Sequence, residues 1–504
     1  MAFSKLGRSH AWLAALLLSG VPRLASGAPS VECCSLISGL LETDVFTTST
    51  ATYDHENNDF WSATEILEPS CVFLPDTPEK VAQAVALFVE RDCSFSIKGG
   101  GHSAIPGAAS IHDGILMPME KLKRLEISDD EETVVVGAGN LMGDIYAGLD
   151  PSNLTAMIGR YEKVGLGVAV GAGFSYLVNK NGLAVDNVVN FEVVLANASI
   201  VNANATHNSD LFKALKGGSN NFGIVTAFTL RTERTEGSVY GGIVYYNETY
   251  LDQVSDVIYD YHVRQAVDDT LTHALPQYGY NGTTGEAISF NPVVYNRAVN
   301  ELPEIMQGWT DIPTYKNTLQ NRDYHSLAVE LNDGFPDGLV QEQRVFSVYA
   351  DAQLYKDFWA HYHAWCQGYQ HIPGFYCLHV NMPITPRAVQ EGIAKGHNSL
   401  GLENAGDRVL GTIYFGVTCD SLDDADEVLP AHDKFVESMI DLAKERGLHY
   451  PYIMLTYSGY DQKVIESYGE ENVKKMLEVQ KAYDPNGVFQ RLVPGGQKLP
   501  SDAN

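Results

Sequence analysis

Apolar residues along the chain change period, and the changes mark its elements. Val81, Val85, Phe88 and Val89 recur at helical spacing behind Thr77, suited to an N-cap, and Pro78, suited to the first helical position, so a helix is predicted to start there. Short β-prone runs bracket it at residues 71–75 and 94–98. Residues 133–137, 191–195, 199–201 and 223–230 read as further strands, and residues 210–215 as a short helix ending at Gly217-Gly218. Residues 53–61 read as a polar, aromatic lead-in.

From about residue 238 the texture shifts. Strands are predicted at residues 239–246, 287–295, 345–349 and 409–417, with helical stretches near 250–264, 353–366 and 425–445. That is the pattern of a mostly antiparallel sheet backed by helices. Residues 461–483 read as one or two helices. At 504 residues the chain is longer than one hydrophobic core usually serves, so two lobes are expected, with room for a large cofactor site.

Charge and composition narrow the function. Asp and Glu outnumber Lys and Arg by 63 to 34, a net charge of −29 that repels a phosphate backbone, so nucleic acid is not expected as a partner. Lys5 and Arg8, an apolar run at residues 11–18 and small residues at 25–28 form the three parts of a secretory signal over residues 1–27. The apolar run is well short of the roughly 20 residues a membrane span needs, so a secreted chain with no membrane association is expected. Sequons at Asn153, Asn197, Asn204, Asn247 and Asn281 agree with glycosylation on that route. Four cysteines precede residue 94 and three follow residue 365, which points to disulfides within each end and one odd thiol, with the connectivity open. The cysteines lack the spacing of metal ligands.

The candidate chemistry lies in three glycine-rich segments. Gly99, Gly100 and Gly101 follow a predicted strand, where positive φ and inward N–H groups make a concave site for a pyrophosphate. His102 and Ser103 come directly after, although a histidine in a turn is also a common structural hydrogen-bonder. The stretch Val164 to Tyr176 holds two Gly-x-Gly pairs, Gly165/Gly167 and Gly171/Gly173, whose backbone can press against a flat ring or simply form a bulge. The third, Lys216 to Gly223, offers amides before a strand. Together the loops suit one elongated ligand. None has the strand, helix and acid spacing of a Rossmann nucleotide site.

These residues together resemble the berberine-bridge-enzyme-like branch of the vanillyl-alcohol oxidase superfamily, fungal-type, with its PCMH-type FAD-binding domain. Lys98-Gly99-Gly100-Gly101-His102-Ser103 is similar to that family's (Arg/Lys)-(Ser/Gly)-Gly-Gly-His loop, and the resemblance implies that His102 carries FAD covalently. Gly171-Ala172-Gly173-Phe174-Ser175-Tyr176 and Asn181-Gly182-Leu183-Ala184-Val185-Asp186-Asn187-Val188 are similar to two further FAD-lining motifs, which implies roles for Gly171, Gly173, Ser175, Gly182, Asp186 and Asn187. Lys216 to Ile224 matches a fourth motif, with Ser219 in place of one glycine, and implies roles for Gly223 and Ile224; Tyr483 to Phe489 matches a fifth. Many relatives attach the flavin a second time through a cysteine. Here none lies between residues 94 and 365, so a single attachment is expected. Of the relatives' Tyr-x-Asn-Tyr, Met454-Leu455-Thr456-Tyr457 keeps only the last residue, leaving Tyr457 as the candidate catalytic phenol.

The resemblance implies a two-lobed α+β fold: an FAD-binding domain at residues 65–235, a substrate domain at 236–450, and a segment at 451–504 returning to the FAD lobe. It implies an oxidase that passes hydride from a small substrate, a natural-product intermediate, to FAD and then to O2, releasing H2O2. The alternatives are a secreted carbohydrate oxidase, a flavin-dependent oxidative or non-redox cyclase, and a flavin carrier without catalysis.

Overall fold

The computed structural model describes residues 30–41, 44–332 and 336–501, so the expected signal at residues 1–27 lies outside the described residues. Helix Pro78–Arg91 starts as its sequence dictates: Thr77 is extended, its side chain accepts from the Lys80 amide, and Pro78 opens the first turn. Its buried face carries Val81, Val85 and Phe88. The strands on either side of it, Cys71–Phe73 and Phe95–Lys98, both run parallel to Ile115–Pro118, which lies between them; Val45–Phe46 completes the sheet. A parallel pair needs a crossover, and the helix supplies it. Disulfides Cys33–Cys93 and Cys34–Cys71 tie helix Ser30–Leu40 to this sheet.

A second sheet is antiparallel. Its order is Leu125–Ile127, Thr133–Gly137, Ile224–Arg234, Val188–Val194 and Ile200–Asn204, with Leu154–Ala156 paired to the far end of Ile224–Arg234. The C-terminal segment packs back onto this half. Phe95 donates its N–H to the Leu492 carbonyl, and Asn221 donates to that of Gln497.

The third sheet has ten strands, all antiparallel, and its spine runs Val239–Asn247, Glu286–Tyr295, Gln277–Asn281, Tyr376–Ile384, Leu410–Cys419, Val340–Tyr349. Successive side chains in a strand point to opposite faces. Tyr278, Tyr280, Phe346 and Phe415 are buried with the apolar faces of helices Leu251–Asp260, Ala352–Cys366 and Leu422–Glu445. Their neighbours in each strand face the glycine-rich half. Cys366–Cys377 joins helix to sheet, and Cys419 is a buried thiol.

The expected two-part α+β architecture, with a large antiparallel sheet backed by helices, is the one the chain forms. Six of that sheet's ten strands escaped the reading of the sequence, the longest of them Gln277–Asn281 and Tyr376–Ile384, and most of the lead-in at residues 53–61 belongs to a helix, Ala51–Asn58, capped by Thr50. Among the described residues, no helix is long and apolar enough to cross a membrane.

Candidate active site

The first glycine loop leaves strand Phe95–Lys98 and meets the second glycine segment back to back. A Cβ on Gly100 would lie 2.8 Å from the Cα of Gly165, and one on Gly165 would lie 2.8 Å from the Cα of Gly100, so both positions require glycine. Gly101 has φ +63°, a left-handed conformation that favours glycine. Gly99 and Gly167, in contrast, have open space beside them. The cleft so formed, about 270 Å³, is lined by Gly99 to Ser103, by Gly165 and Gly167, and by Asn220, Gly223 and Ile224. Glu65 braces its rim: buried, its carboxyl oxygen accepts from the Ala109 amide at 3.2 Å.

His102 sits where the cleft opens into a second cavity of about 150 Å³, and it lines both. Trp61 lies flat on its imidazole, ring centroids 4.6 Å apart and planes within 8°. The Trp61 amide also donates to the Gly101 carbonyl, so one residue holds both loop and ring. Desolvation pushes the His102 imidazole down to about 4, which keeps it neutral near neutral pH.

The inner cavity is walled by Arg160, Tyr161, Phe174, Gln277, Leu378, Val380, Met382, Tyr414 and Tyr457. It continues into an outer cavity of about 400 Å³ that shares Trp61, Tyr161, Gln277, Leu378 and Tyr414 with it. The floor of both is the third sheet, through alternate residues such as Tyr376, Leu378, Val380 and Met382 of one strand and Ile288, Phe290 and Pro292 of another. Tyr457 accepts a hydrogen bond from Arg160 Nη2 at 3.2 Å and packs edge-on against Tyr414.

Several residues singled out from the sequence lie away from the cleft lining. Lys98 turns its buried ammonium to Glu56 at 3.1 Å and Asp59 at 3.2 Å and stands over the Phe60 ring, anchoring the loop to helix Ala51–Asn58. Ser175 accepts from the Leu177 amide. Asp186 accepts from Leu183 N and Asn398 Nδ2, and Asn187 donates to the carbonyls of Asn181 and Leu183 and accepts from Lys395; Gly182 turns beside Asp186 with φ +80°. A satisfied carboxylate and amide of this kind brace the fold. Gly173 lines the inner cavity, and Gly171 packs under Thr456, leaving no room for a Cβ. Trp61 and Arg160 went unread in the sequence. The signal for Arg160 was a lone cation ending the apolar run Ala156-Met157-Ile158-Gly159.

These residues fit an FAD. Two interlocked glycine loops line the cleft, and a Cβ at Gly99 or Gly167 would meet nothing within 4 Å, leaving open space there for a ligand. At its inner end the Thr456 hydroxyl is buried without a hydrogen-bond partner.

Comparison with known proteins agrees. A family described as FAD binding domain matches residues 69–204. The chain is 30% identical to the FAD-dependent monooxygenase tpcD of Cochliobolus heterostrophus, over 93% of this chain and 94% of that one. It is 34% identical to prx3, an FAD-dependent monooxygenase of Penicillium roqueforti, over 87% and 88%. Among solved structures, a variant of berberine bridge enzyme superposes with a TM-score of 0.72 at 16% identity, covering 94% of this chain and 100% of that one. Xylooligosaccharide oxidase from Myceliophthora thermophila does so with 0.73 at 18%, covering 94% and 100%. The chain is a flavoenzyme of the FAD-dependent oxidoreductase family that includes these fungal monooxygenases, built on the fold of berberine bridge enzyme.

Proposed function

We propose that this oxidoreductase is an oxidase acting on a small apolar or aromatic molecule, a natural-product intermediate, with FAD attached once, to His102. The observation that carries the reading is the continuity of the lining. The glycine cleft, His102 and a cavity walled by aromatic and aliphatic side chains form one path. When bound, FAD supplies the hydride acceptor and returns the electrons to O2 as H2O2. Gly99 to Ser103, Gly165, Gly167, Gly223 and Ile224 would hold it.

The protein's own share is position and proton handling. Tyr457 accepts from Arg160, so its own O–H is turned from the guanidinium and is placed to exchange a proton with a substrate oxygen in the inner cavity. Apolar walls such as Phe174, Leu378 and Met382 exclude water from the reacting carbon. A sugar oxidase needs a polar groove, whereas the outer cavity is lined mainly by apolar and aromatic side chains such as Ile243, Tyr245, Phe290 and Phe375, with Gln277, Asn281, Thr283, Gln341 and Thr418 as its polar members. Secretion and glycosylation are part of the reading: three disulfides suit an oxidising compartment, and Asn153, Asn197 and Asn247 are exposed.

The test is turnover with a panel of aromatic alcohols, phenols and oligosaccharides. Release of H2O2 with the aromatic members supports the reading, and release with xylobiose alone overturns it. The relatives' names favour a second reading, insertion of an oxygen atom. Product formed under oxygen-18 labelled O2 carries the label in that case and lacks it in an oxidase.

A further inference from the structure

The chain has 63 acidic residues, yet among the described residues none lines the glycine cleft, the inner cavity or the outer cavity. Beside neutral His102, one ionisable cation does: Arg160, 3% exposed, in the wall of the inner cavity. A guanidinium is always charged, and a buried charge is stable only when paired or well hydrogen-bonded. Among the described residues, the acceptors around Arg160 are all neutral. Nη1 faces His273 Nε2 at 3.3 Å, and Nη2 reaches the Met382 sulfur at 3.4 Å and the Tyr457 oxygen at 3.2 Å. A thioether is a weak acceptor. His273, held neutral by its burial and by Arg160 itself, brings no negative charge. The Phe174 ring beneath adds a cation–π contact at 5.5 Å. No described carboxylate lies within ion-pair distance of Arg160, whereas Lys98 and Arg344, similarly buried, each meet two or three.

Among the described residues, one cation thus stands without a counter-ion in the wall of a cavity lined largely by aromatic and aliphatic side chains. The Tyr457 hydroxyl stands beside it as a second donor, since its oxygen already accepts from the guanidinium. We infer that Arg160 and Tyr457 form an oxyanion site, and that the substrate is an apolar, ring-bearing molecule with one anionic oxygen group, a carboxylate or the oxygen of an acidic phenol or enol. A charge-assisted hydrogen bond from guanidinium to such an oxygen supplies the missing partner. The oxyanion at Arg160 fixes one end of the molecule, and the aromatic outer cavity takes the remainder. Calling that molecule a substrate rests on the oxidase reading; the site itself does not.

Calorimetric titration of the purified holoenzyme with two matched pairs tests the site: benzoate against benzamide, and 4-nitrophenolate against 4-nitroanisole. At least one anion is expected to bind about tenfold tighter than its neutral partner, the equivalent of about 1.4 kcal/mol. Which anion does so separates carboxylate from phenol or enol chemistry. The preference should vanish in Arg160→Gln and persist in Arg160→Lys. Should the variants misfold by circular dichroism, the wild-type pairs still decide. Anions that bind no tighter than their neutral partners, or a preference that survives Arg160→Gln, overturn the inference. The readout needs no turnover. Protein that purifies without flavin, or flavin that no compound bleaches without O2, would sink the oxidase reading and leave the titration standing.

Discussion

Replacing Gly100 by alanine tests how the flavin cleft is built. A Cβ there would lie 2.8 Å from the Gly165 Cα and nearer still to its nitrogen, where ordinary contact begins near 3.4 Å. These are backbone atoms, so no rotamer change relieves the clash, and the two loops must part by at least about half an ångström. Forcing a methyl into a packed junction costs about 1–3 kcal/mol. The parting also splits the two walls of the cleft, so bound flavin loses contacts on both sides. Gly99→Ala is the matched control. It lines the same cleft with nothing within 4 Å, so its methyl leaves the fold unstrained and enters the volume the flavin takes. Denaturant midpoints report stability, and the ratio of flavin to protein absorbance reports occupancy. Gly100→Ala is expected to lose both, and Gly99→Ala flavin alone. Unchanged stability in Gly100→Ala would refute the interlock, and full flavin in Gly99→Ala would refute the placement of the cofactor.

Trp61→Ala removes the ring that lies flat on His102. A stacked aromatic pair is worth about 0.5–1.5 kcal/mol, so the fraction of protein whose flavin fluoresces in a denaturing gel should fall about two- to tenfold, with Trp61→Phe close to wild type. Loss of the Cys33–Cys93 bridge, whose partners are 60 residues apart, should cost about 4 kcal/mol against about 3 for the 11-residue Cys366–Cys377 separation; serine variants compared by urea denaturation check the order. Burial raises Glu65 from its ordinary 4.5 to about 8, so between those values the folded chain binds more protons than the unfolded one. Its contribution is therefore fully present below about pH 4.5 and is lost as pH rises through about 8, a decline of up to a few kcal/mol. Urea midpoints for Glu65→Gln should show that decline flattened; an unchanged slope would assign it to other groups.

The site was legible in the sequence wherever local backbone requirements created it. Three glycines after a β-prone run call for a tight turn, and Gly100 and Gly101 form one, in close approach to Gly165 and in positive φ. Helix Pro78–Arg91 was equally legible, because cap, proline and apolar face all lie within it. What the chain brings together from afar was not. Arg160 and Tyr457 are 297 residues apart, and Trp61 reaches His102 from a segment that reads as polar lead-in. Strand Tyr376–Ile384 carries His379, Asn381 and Pro383, which break a β pattern. It forms because partners on both edges, Gln277–Asn281 and Leu410–Cys419, satisfy its backbone. Lys98, Asp186 and Asn187 show the converse, since motif residues shared with flavoenzymes here make buried ion pairs and hydrogen bonds that brace the loops.

The central claim is that His102 carries the flavin. Acid precipitation of the purified protein, followed by proteolysis and peptide mapping, tests it most directly. Yellow colour and the added mass of the flavin should travel with a single peptide containing His102, and His102→Ala should release its flavin into the acid supernatant. Flavin released in full from the wild-type protein, or found on any other residue, would contradict the account.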